Sequence, residues 1–347
     1  MHQHGGSPSI TSLDQLDQLL SEPAPEVVDT MRRLDGDILL LGAGGKIGPS
    51  LARMARRASD LAGNPRRVIA VSRFSTPGEA DALNHAGVET IRCDLLNESA
   101  VADLPVAPNV IHLAGLKFGS NGRMASTWAM NTYLAAVICR KYHRSRIVAY
   151  STGAIYGMSN IANGGSIESD TPLPVGEYAM SCLGRERMFE HFSAEWNIPV
   201  VLIRLFYACE LRYGVLVDLA RKVFNEQPID VTMGHFNVIW QGDNNAITLR
   251  AFEHTNTPPT VFNVTGPNLL SIRETAEEIG RHMGRTPMFV GQEAGTTCLG
   301  NSKRATALFG APRVSTEQLI EWVVRWVEMG GENWGKPTHF EVRDGKY

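Results

Sequence analysis

The sequence has few cysteines, no large excess of charge of either sign and no long apolar run. Its five cysteines are scattered and odd in number, and none forms a Cys-x-x-Cys pair, so neither a disulfide framework nor a zinc site is predicted. The formal net charge is −3, and no block of Lys and Arg occurs. Because this charge pattern does not attract a polyanion, we expect small molecules as ligands rather than a nucleic-acid or membrane partner. We also expect no bound metal, since the cysteines do not form a zinc-binding pattern.

Neither a secretory signal nor a membrane anchor is predicted. The N-terminus lacks a basic stretch followed by an apolar one, and no segment approaches the roughly 20 apolar residues that a spanning helix needs. Unpaired cysteines are typical of a reducing compartment, so we expect a cytoplasmic location.

Apolar runs alternate with helix-length segments from Asp37 onward, which predicts β-α-β units. The apolar runs are continuous, which is typical of parallel strands covered on both faces, and right-handed crossovers then produce a doubly wound sheet. The predicted fold class is therefore α/β, a Rossmann doubly wound parallel sheet. The predicted strands are Ile38–Leu41, Val68–Val71, Thr90–Ile91, Val110–Leu113, Ile147–Tyr150, Pro199–Arg204 and Thr260–Val264.

A glycine-rich turn, Gly42-Ala43-Gly44-Gly45-Lys46-Ile47-Gly48, separates the first strand from the first helix of the sheet. Backbone N–H groups and a helix N-terminus would meet there, which creates an anion site. Gly42 permits the tight turn, Gly45 lets the backbone approach a pyrophosphate, and Gly48 allows close contact between strand and helix. A plain structural turn has the same spacing, but the position in the first β-α unit favours a dinucleotide site.

The end of the second strand reads Ser72-Arg73 and has no carboxylate for the ribose hydroxyls of NAD. A hydroxyl and a cation suit a 2'-phosphate better, so NADP(H) is favoured and NAD(H) is possible. A solvated surface Arg73 is the competing interpretation. After the third strand, Asp94 and Leu95 are predicted to contact the cofactor, with Asp94 accepting from the adenine amino group or instead capping a helix.

Three regions are predicted along the chain. Residues 1–35 form an N-terminal helical extension, in which Ser12 and Gln15 fit a capping box. Residues 36–206 and 237–266 form the dinucleotide-binding Rossmann domain. Residues 207–236 and 267–347 form a smaller C-terminal α/β substrate-binding lobe, with amphipathic helical stretches at 271–283 and 316–329.

Further motifs follow the glycine turn in a fixed order. They are Cys93-Asp94-Leu95, Val110-Ile111-His112-Leu113-Ala114-Gly115, Asn131, Ser151-Thr152-Gly153-Ala154-Ile155-Tyr156-Gly157, Tyr178-Ala179-Met180-Ser181, Arg204-Leu205-Phe206 and Phe262-Asn263-Val264-Thr265-Gly266. With this ordered set, the chain resembles the extended short-chain dehydrogenase/reductases of the NAD-dependent epimerase/dehydratase family, which act largely on nucleotide sugars and related polyols. The resemblance runs from about Asp37 to Trp326.

The resemblance implies a role for several residues. Tyr178 would be the proton-transfer residue, and Thr152 would bind the substrate oxygen beside it. A homodimer through the helices that carry Asn131 and Tyr178 is also implied. The cofactor would be contacted by Ala114, Gly115, Leu116, Asn131 and Tyr178, besides the glycine turn. His112 lies within the fourth predicted strand, so we interpret it as a structural histidine rather than a base.

The chain departs from the family pattern Tyr-x-x-x-Lys, because the fourth residue after Tyr178 is Cys182. The family lysine holds the nicotinamide ribose and lowers the tyrosine pKa, which a mostly neutral thiol cannot do. Lys117 and Arg185 are candidates for a replacement cation, although Arg185 also fits a solvated helix position. Cys182 is interpreted as an inert buried thiol rather than a nucleophile.

Two functions remain in competition. The first is an NAD(P)-dependent oxidoreductase, epimerase or dehydratase that acts on a nucleotide sugar or a sugar-derived polyol by hydride transfer. The second is a catalytically weak or inactive dinucleotide-binding protein with a regulatory or structural role, which the presence of Cys182 at the lysine position suggests.

Overall fold

The computed structural model describes residues 10–117 and 122–346. The α-helices in these ranges are α1 (Leu13–Leu20), α2 (Pro25–Arg33), α3 (Gly48–Leu61), α4 (Glu79–His85), α5 (Glu98–Ala102), α6 (Met124–Trp128), α7 (Leu134–Lys141), α8 (Gly176–Trp196), α9 (Val215–Phe224), α10 (Gln241–Arg250), α11 (Ile272–Met283), α12 (Lys303–Phe309) and α13 (Thr316–Glu328). A π-helical turn, Ala129–Tyr133, joins α6 to α7, and 3-10 turns lie at Gly153–Tyr156, Ile161–Asn163 and Ala251–His254.

The strands of the same ranges comprise a central sheet and several short pairs. They are β1 (Ile38–Leu41), β2 (Val68–Ser72), β3 (Glu89–Arg92), β4 (Asn109–His112), β5 (Arg146–Thr152), β6 (Ser159–Asn160), β7 (Val200–Leu205), β8 (Ala208–Cys209), β9 (Pro228–Asp230), β10 (His235–Phe236), β11 (Ile239–Trp240), β12 (Thr260–Val264), β13 (Leu270–Ser271), β14 (Met288–Val290) and β15 (Thr296–Thr297).

The central sheet confirms the predicted fold class. Seven strands lie in the order β12-β7-β5-β4-β1-β2-β3, and all their pairings are parallel. They coincide with the seven predicted strands, with ends that differ by at most two residues. The strand order reverses between β1 and β4, and a crevice forms at the carboxyl ends of strands at such a switch point.

Both faces of the sheet are buried. In β1, Ile38 and Leu40 belong to the apolar cluster on one face, and Leu39 and Leu41 belong to the cluster on the other. Successive side chains of a strand point to opposite faces, so a run of four apolar residues contributes to both clusters. This explains why the parallel strands have continuous apolar sequences.

A second apolar core lies beside the sheet, around α9, α11 and α13. The indole rings of Trp240 and Trp322 meet edge to face there, with centroids 5.4 Å apart. The N-terminal helix α1 adds Leu16 and Leu20 to this core, and the Oγ atom of Ser12 accepts from the Gln15 backbone N–H at 3.2 Å, as the capping box predicts. Across the described ranges, no helix is both long and apolar enough to span a membrane.

Candidate active site

The glycine turn has the geometry of a phosphate cradle. Gly42 has a φ of +88°, and a Cβ atom added there would lie 2.6 Å from the Ala114 Cα atom. A Cβ atom on Gly48 would overlap the Ala43 carbonyl, so both positions require glycine for close packing. At Gly45 the nearest atom to such a Cβ is 3.5 Å away, on Gly42. This turn therefore offers open space and a helix N-terminus to an anion, which fits a bound pyrophosphate.

A cavity of about 670 Å³ connects this turn to Tyr178. Its size is within the range typical of small-molecule sites. Its lining brings together predicted cofactor-binding and proton-transfer residues, namely Gly42, Gly45, Lys46, Ile47, Gly48, Gly115, Lys117, Tyr178 and Arg185. The sequence-distant parts of the candidate site thus share one cavity.

An adjoining cavity of about 250 Å³ lies at the carboxyl ends of β2 and β3. It is lined by the predicted residues Ser72, Arg73, Asp94, Leu95, Ala114 and Gly115, together with the glycine turn. Arg73 is exposed and is one of the residues that line this cavity. The position suits the adenosine half of a dinucleotide.

Asp94 does not cap the following helix. The cap of α5 is Asn97, whose Oδ1 atom accepts from the Ala100 N–H at 3.2 Å. Asp94 instead accepts from the Leu96 N–H at 3.1 Å and lines the cavity. The helix-cap alternative for Asp94 is therefore wrong.

Glu79 brings a carboxylate to the cofactor cavity that the sequence analysis missed. It is the first residue of α4, and it lines the large cavity opposite Gly44. Burial raises the pKa of Glu79, against the opposing effect of the Lys336 and Arg92 charges. The family pattern places such an acid at the end of β2, whereas Glu79 follows Ser72 by seven residues.

Tyr178 lies in the first turn of α8, at the junction of the large cavity with a smaller one of about 160 Å³. Thr152 and Lys117 line the smaller cavity beside it. The Lys117 Nζ atom is 6.0 Å from the centroid of the Tyr178 ring and donates to the Thr338 carbonyl at 3.4 Å. Burial lowers the pKa of Lys117 to about 8, so it is mostly protonated at neutral pH.

Cys182 is fully buried beside Ile155 and Tyr156, in agreement with its interpretation as a buried thiol. Burial raises the pKa of this thiol, against the charges of Arg185 and Lys117 and a hydrogen bond with Tyr178. A neutral buried thiol is a poor nucleophile, so the alternative role is not supported.

Arg185 is buried, so its interpretation as a solvated helix cation is wrong. Its guanidinium donates to the Asn131 carbonyl at 3.0 Å, to the Asn131 Oδ1 atom at 2.8 Å and to the Tyr150 carbonyl at 2.9 Å. The same side chain lines the large cavity. It therefore supplies a permanent cation within one helical turn of Cys182.

Asn131 and Leu116 are hydrogen-bonded to each other next to Gly115 of the cavity lining. Asn131 is fully buried in the π-helical turn, and its side-chain amide bonds the Leu116 N–H at 2.8 Å and the Leu116 carbonyl at 3.0 Å. Neither Asn131 nor Leu116 is among the described residues that line the three cavities. Both were predicted to contact the cofactor, whereas the geometry shows them fixing the segment that carries Gly115.

His112 and Lys46 have strongly shifted pKa values for different reasons. His112 packs against Phe189 with ring centroids 5.6 Å apart, and burial, reinforced by Arg185, lowers its pKa to about 3. This agrees with a neutral structural histidine. Lys46 lies with its Nζ atom 3.0 Å from the Tyr213 ring centroid, and burial, reinforced by Lys117 and Lys336, lowers its pKa to about 6.

The C-terminal segment also contributes to the site, which the sequence analysis did not anticipate. Glu332, Trp334 and Lys336 line the large cavity together with the glycine turn. In sequence they follow that turn by nearly 300 residues, and no local pattern marks them.

A sequence model of the NAD-dependent epimerase/dehydratase family matches residues 38–212. The chain belongs to this family, and the resemblance inferred from its motifs is confirmed. No curated protein matches the sequence.

Several solved structures share the fold. MoeE5 in complex with UDP-glucose and NAD has a TM-score of 0.68 and is 20% identical over 85% of this chain and 99% of its own. The UDP-glucuronic acid 4-epimerase from Bacillus cereus in complex with NAD has a TM-score of 0.68 at 20% identity, over 84% of this chain and 98% of its own. The UDP-glucose 4-epimerase from Thermotoga maritima with UDP-glucose has a TM-score of 0.69 at 19% identity, over 85% and 99%.

Proposed function

We propose that the protein is an NAD(P)-dependent enzyme that acts on a nucleotide sugar by hydride transfer, with Tyr178 as the proton-transfer residue. The observation that carries the proposal is the single cavity that joins the glycine turn to Tyr178, with Lys117 and Arg185 in its lining. When bound, the cofactor supplies the hydride acceptor or donor. Tyr178 then takes the proton of a substrate alcohol or returns it.

The other lining residues bind the cofactor or substrate, or position the groups that do. Gly45 and the N-terminus of α3 hold the pyrophosphate. Lys117 favours the phenolate of Tyr178 by its charge, and Thr152 holds the substrate oxygen. Arg185 keeps the segment around Gly115 in place against the ribose and nicotinamide. In this arrangement Lys117 and Arg185 supply the positive charge that the family lysine would provide at the position of Cys182.

The substrate class is supported by the family and by the neighbours of known structure, whose complexes contain UDP-glucose or are named for UDP-sugar reactions. We assign residues 36–206 and 237–266 to the cofactor side and residues 207–236 and 267–347 to the substrate side, except that Glu332, Trp334 and Lys336 line the cofactor cavity. Tyr207 and Tyr213 of the substrate side line the smaller cavity beside Tyr178.

NADP(H) remains the cofactor that Arg73 and Ser72 favour, whereas the carboxylate of Glu79 and the NAD of the neighbouring structures favour NAD(H). If Arg73 binds a 2'-phosphate, Arg73→Ala should weaken NADPH binding by about tenfold and leave NADH binding unchanged, because an exposed charged hydrogen bond contributes on the order of 1.5 kcal/mol. Fluorescence titration measures both affinities.

Arg67→Ala is the matched control, since Arg67 lies just before β2 at its opposite end and pairs with Glu89 at 2.7 Å. Equal NADPH affinities for the two variants would remove Arg73 from cofactor selection and favour NAD(H).

The second candidate function is that of a catalytically weak dinucleotide-binding protein, which the buried neutral Cys182 favours. Cys182→Lys tests it against Cys182→Met, which changes the size of the side chain but adds no charge. We expect wild type to convert a UDP-hexose or UDP-uronic acid in the presence of NAD⁺ or NADP⁺, and neither variant to exceed it. Product chromatography is the measurement. A silent wild type and an active Cys182→Lys variant would establish the second function.

A further inference from the structure

Residues 330–346 follow α13, and we call this segment the strap. Near its start, Glu332, Trp334 and Lys336 line the cavity together with Gly45 and Lys46. The strap therefore forms a wall of the same space in which a dinucleotide would bind.

The strap is fixed at the phosphate-turn side by aromatic and backbone contacts. The Trp334 ring stacks on Tyr213 with centroids 6.1 Å apart and an interplanar angle of 26°. The Arg212 guanidinium lies 5.0 Å from the Trp334 ring centroid, and the Trp334 N–H donates to the Arg212 carbonyl at 3.2 Å. Tyr213 also contacts Lys46 of the glycine turn, so Trp334 and the turn share a neighbour.

The middle of the strap is held to the second core. The N–H and hydroxyl of Thr338 both donate to the same carboxylate oxygen of Asp218, at 2.8 and 2.6 Å. Phe340 is buried in the cluster around α9 and α13. Because Thr338 also accepts from Lys117, this anchor lies beside the proton-transfer site.

The end of the strap reaches the helix that carries Tyr178. Arg343 donates to the Thr296 carbonyl and hydroxyl, both at 2.7 Å. Gly345 packs so closely on Gly176, the first residue of α8, that a Cβ atom on Gly176 would lie 2.5 Å from the Gly345 carbonyl oxygen. The strap thus runs from contacts beside the glycine turn to the start of α8.

Lys336 shares the cavity lining with two ionisable residues at the glycine turn, Lys46 and Glu79. Its charge contributes to the lowered pKa of Lys46 and opposes the burial that raises the pKa of Glu79. Lys336 is exposed and forms no ion pair with any residue of the described ranges. With a pKa of about 6, Lys46 is mostly neutral at neutral pH, so the Lys336 ammonium adds to the positive charge of Lys117 in the lining of this cavity.

We propose that Lys336 binds the pyrophosphate of the cofactor from the side opposite the glycine turn, and that the strap closes the cofactor site. The inference rests on the proposed function, because it requires a dinucleotide on the turn. A pyrophosphate between Gly45 and Lys336 would pair with the Lys336 ammonium and favour the charged form of Lys46, and closure by the strap would slow the release of the cofactor.

The test compares Lys336→Ala with Lys346→Ala, a matched control on the exposed end of the same strap. The probes are ADP-ribose, which contains the pyrophosphate, and adenosine, which lacks it. We expect Lys336→Ala to weaken ADP-ribose binding by about tenfold, or about 1.4 kcal/mol, and to leave adenosine binding unchanged. Lys346→Ala should bind both probes like wild type, as measured by calorimetry.

Thr338→Val keeps Lys336 but removes the hydrogen bond from the Thr338 hydroxyl to Asp218, which anchors the strap. This variant should therefore release NADPH faster than wild type, as measured by stopped-flow displacement. If wild type binds ADP-ribose and both lysine variants bind it as tightly as wild type does, the inference is overturned and the proposed function stands. If wild type binds no dinucleotide and no ADP-ribose, the proposed function fails as well.

Discussion

Tyr178→Phe is expected to reduce turnover of a nucleotide sugar by a factor of about 10² to 10⁴, because it removes the hydroxyl that exchanges the alcohol proton. The phenyl ring keeps its place in α8 at the junction of the two cavities. Cofactor affinity should therefore change little. Steady-state rates and a fluorescence titration of NADPH or NADH separate the two effects.

Tyr133→Phe serves as the control, since Tyr133 is an exposed tyrosine on the π-helical turn. It should keep the rate of wild type. A Tyr178→Phe variant with undiminished turnover would remove Tyr178 from the mechanism and direct attention to another acid or base in the cavity.

Lys117→Met is expected to reduce turnover at neutral pH by roughly 10- to 100-fold, since one to two units of tyrosine pKa are worth that factor in phenolate. Lys117 has a pKa of about 8, so its charge is present below that pH and is lost above it. The loss caused by the variant should accordingly be largest below about pH 8 and diminish above it. Rates of both proteins from pH 6 to pH 10 measure this trend.

Lys117→Arg tests whether charge is the cause, because a guanidinium stays protonated over the whole range. We expect it to retain more activity than Lys117→Met and to hold that activity above about pH 8. Parallel pH profiles for wild type and Lys117→Met would contradict a role for this cation and leave Arg185 as the remaining candidate.

The parts of the fold that depend on local sequence could be predicted. The run Ile38–Leu41 needs burial on both faces, and the glycines after it permit a turn that other residues could not form. These are properties of neighbouring residues. The parallel sheet and the phosphate cradle follow from them directly.

The environment of Arg185 could not be predicted, because it depends on packing between distant elements. Its guanidinium is satisfied by Asn131 and Tyr150, which lie 54 and 35 residues earlier in the chain. A helical pattern alone does not show which polar position faces a π-helical turn. The same reason explains why Glu79 and Lys336 were missed, since their place in the cavity depends on where α4 and the strap meet the glycine turn.

The most direct test is the near-ultraviolet absorbance of the nicotinamide in wild-type protein loaded with NAD⁺ or NADP⁺, after rapid mixing with UDP-glucose or UDP-glucuronic acid. We predict that the absorbance of the reduced cofactor appears with at least one of these sugars, and that it appears far more slowly in Tyr178→Phe. Tight cofactor binding without reduction by any nucleotide sugar would contradict the account and leave a dinucleotide-binding protein without hydride chemistry.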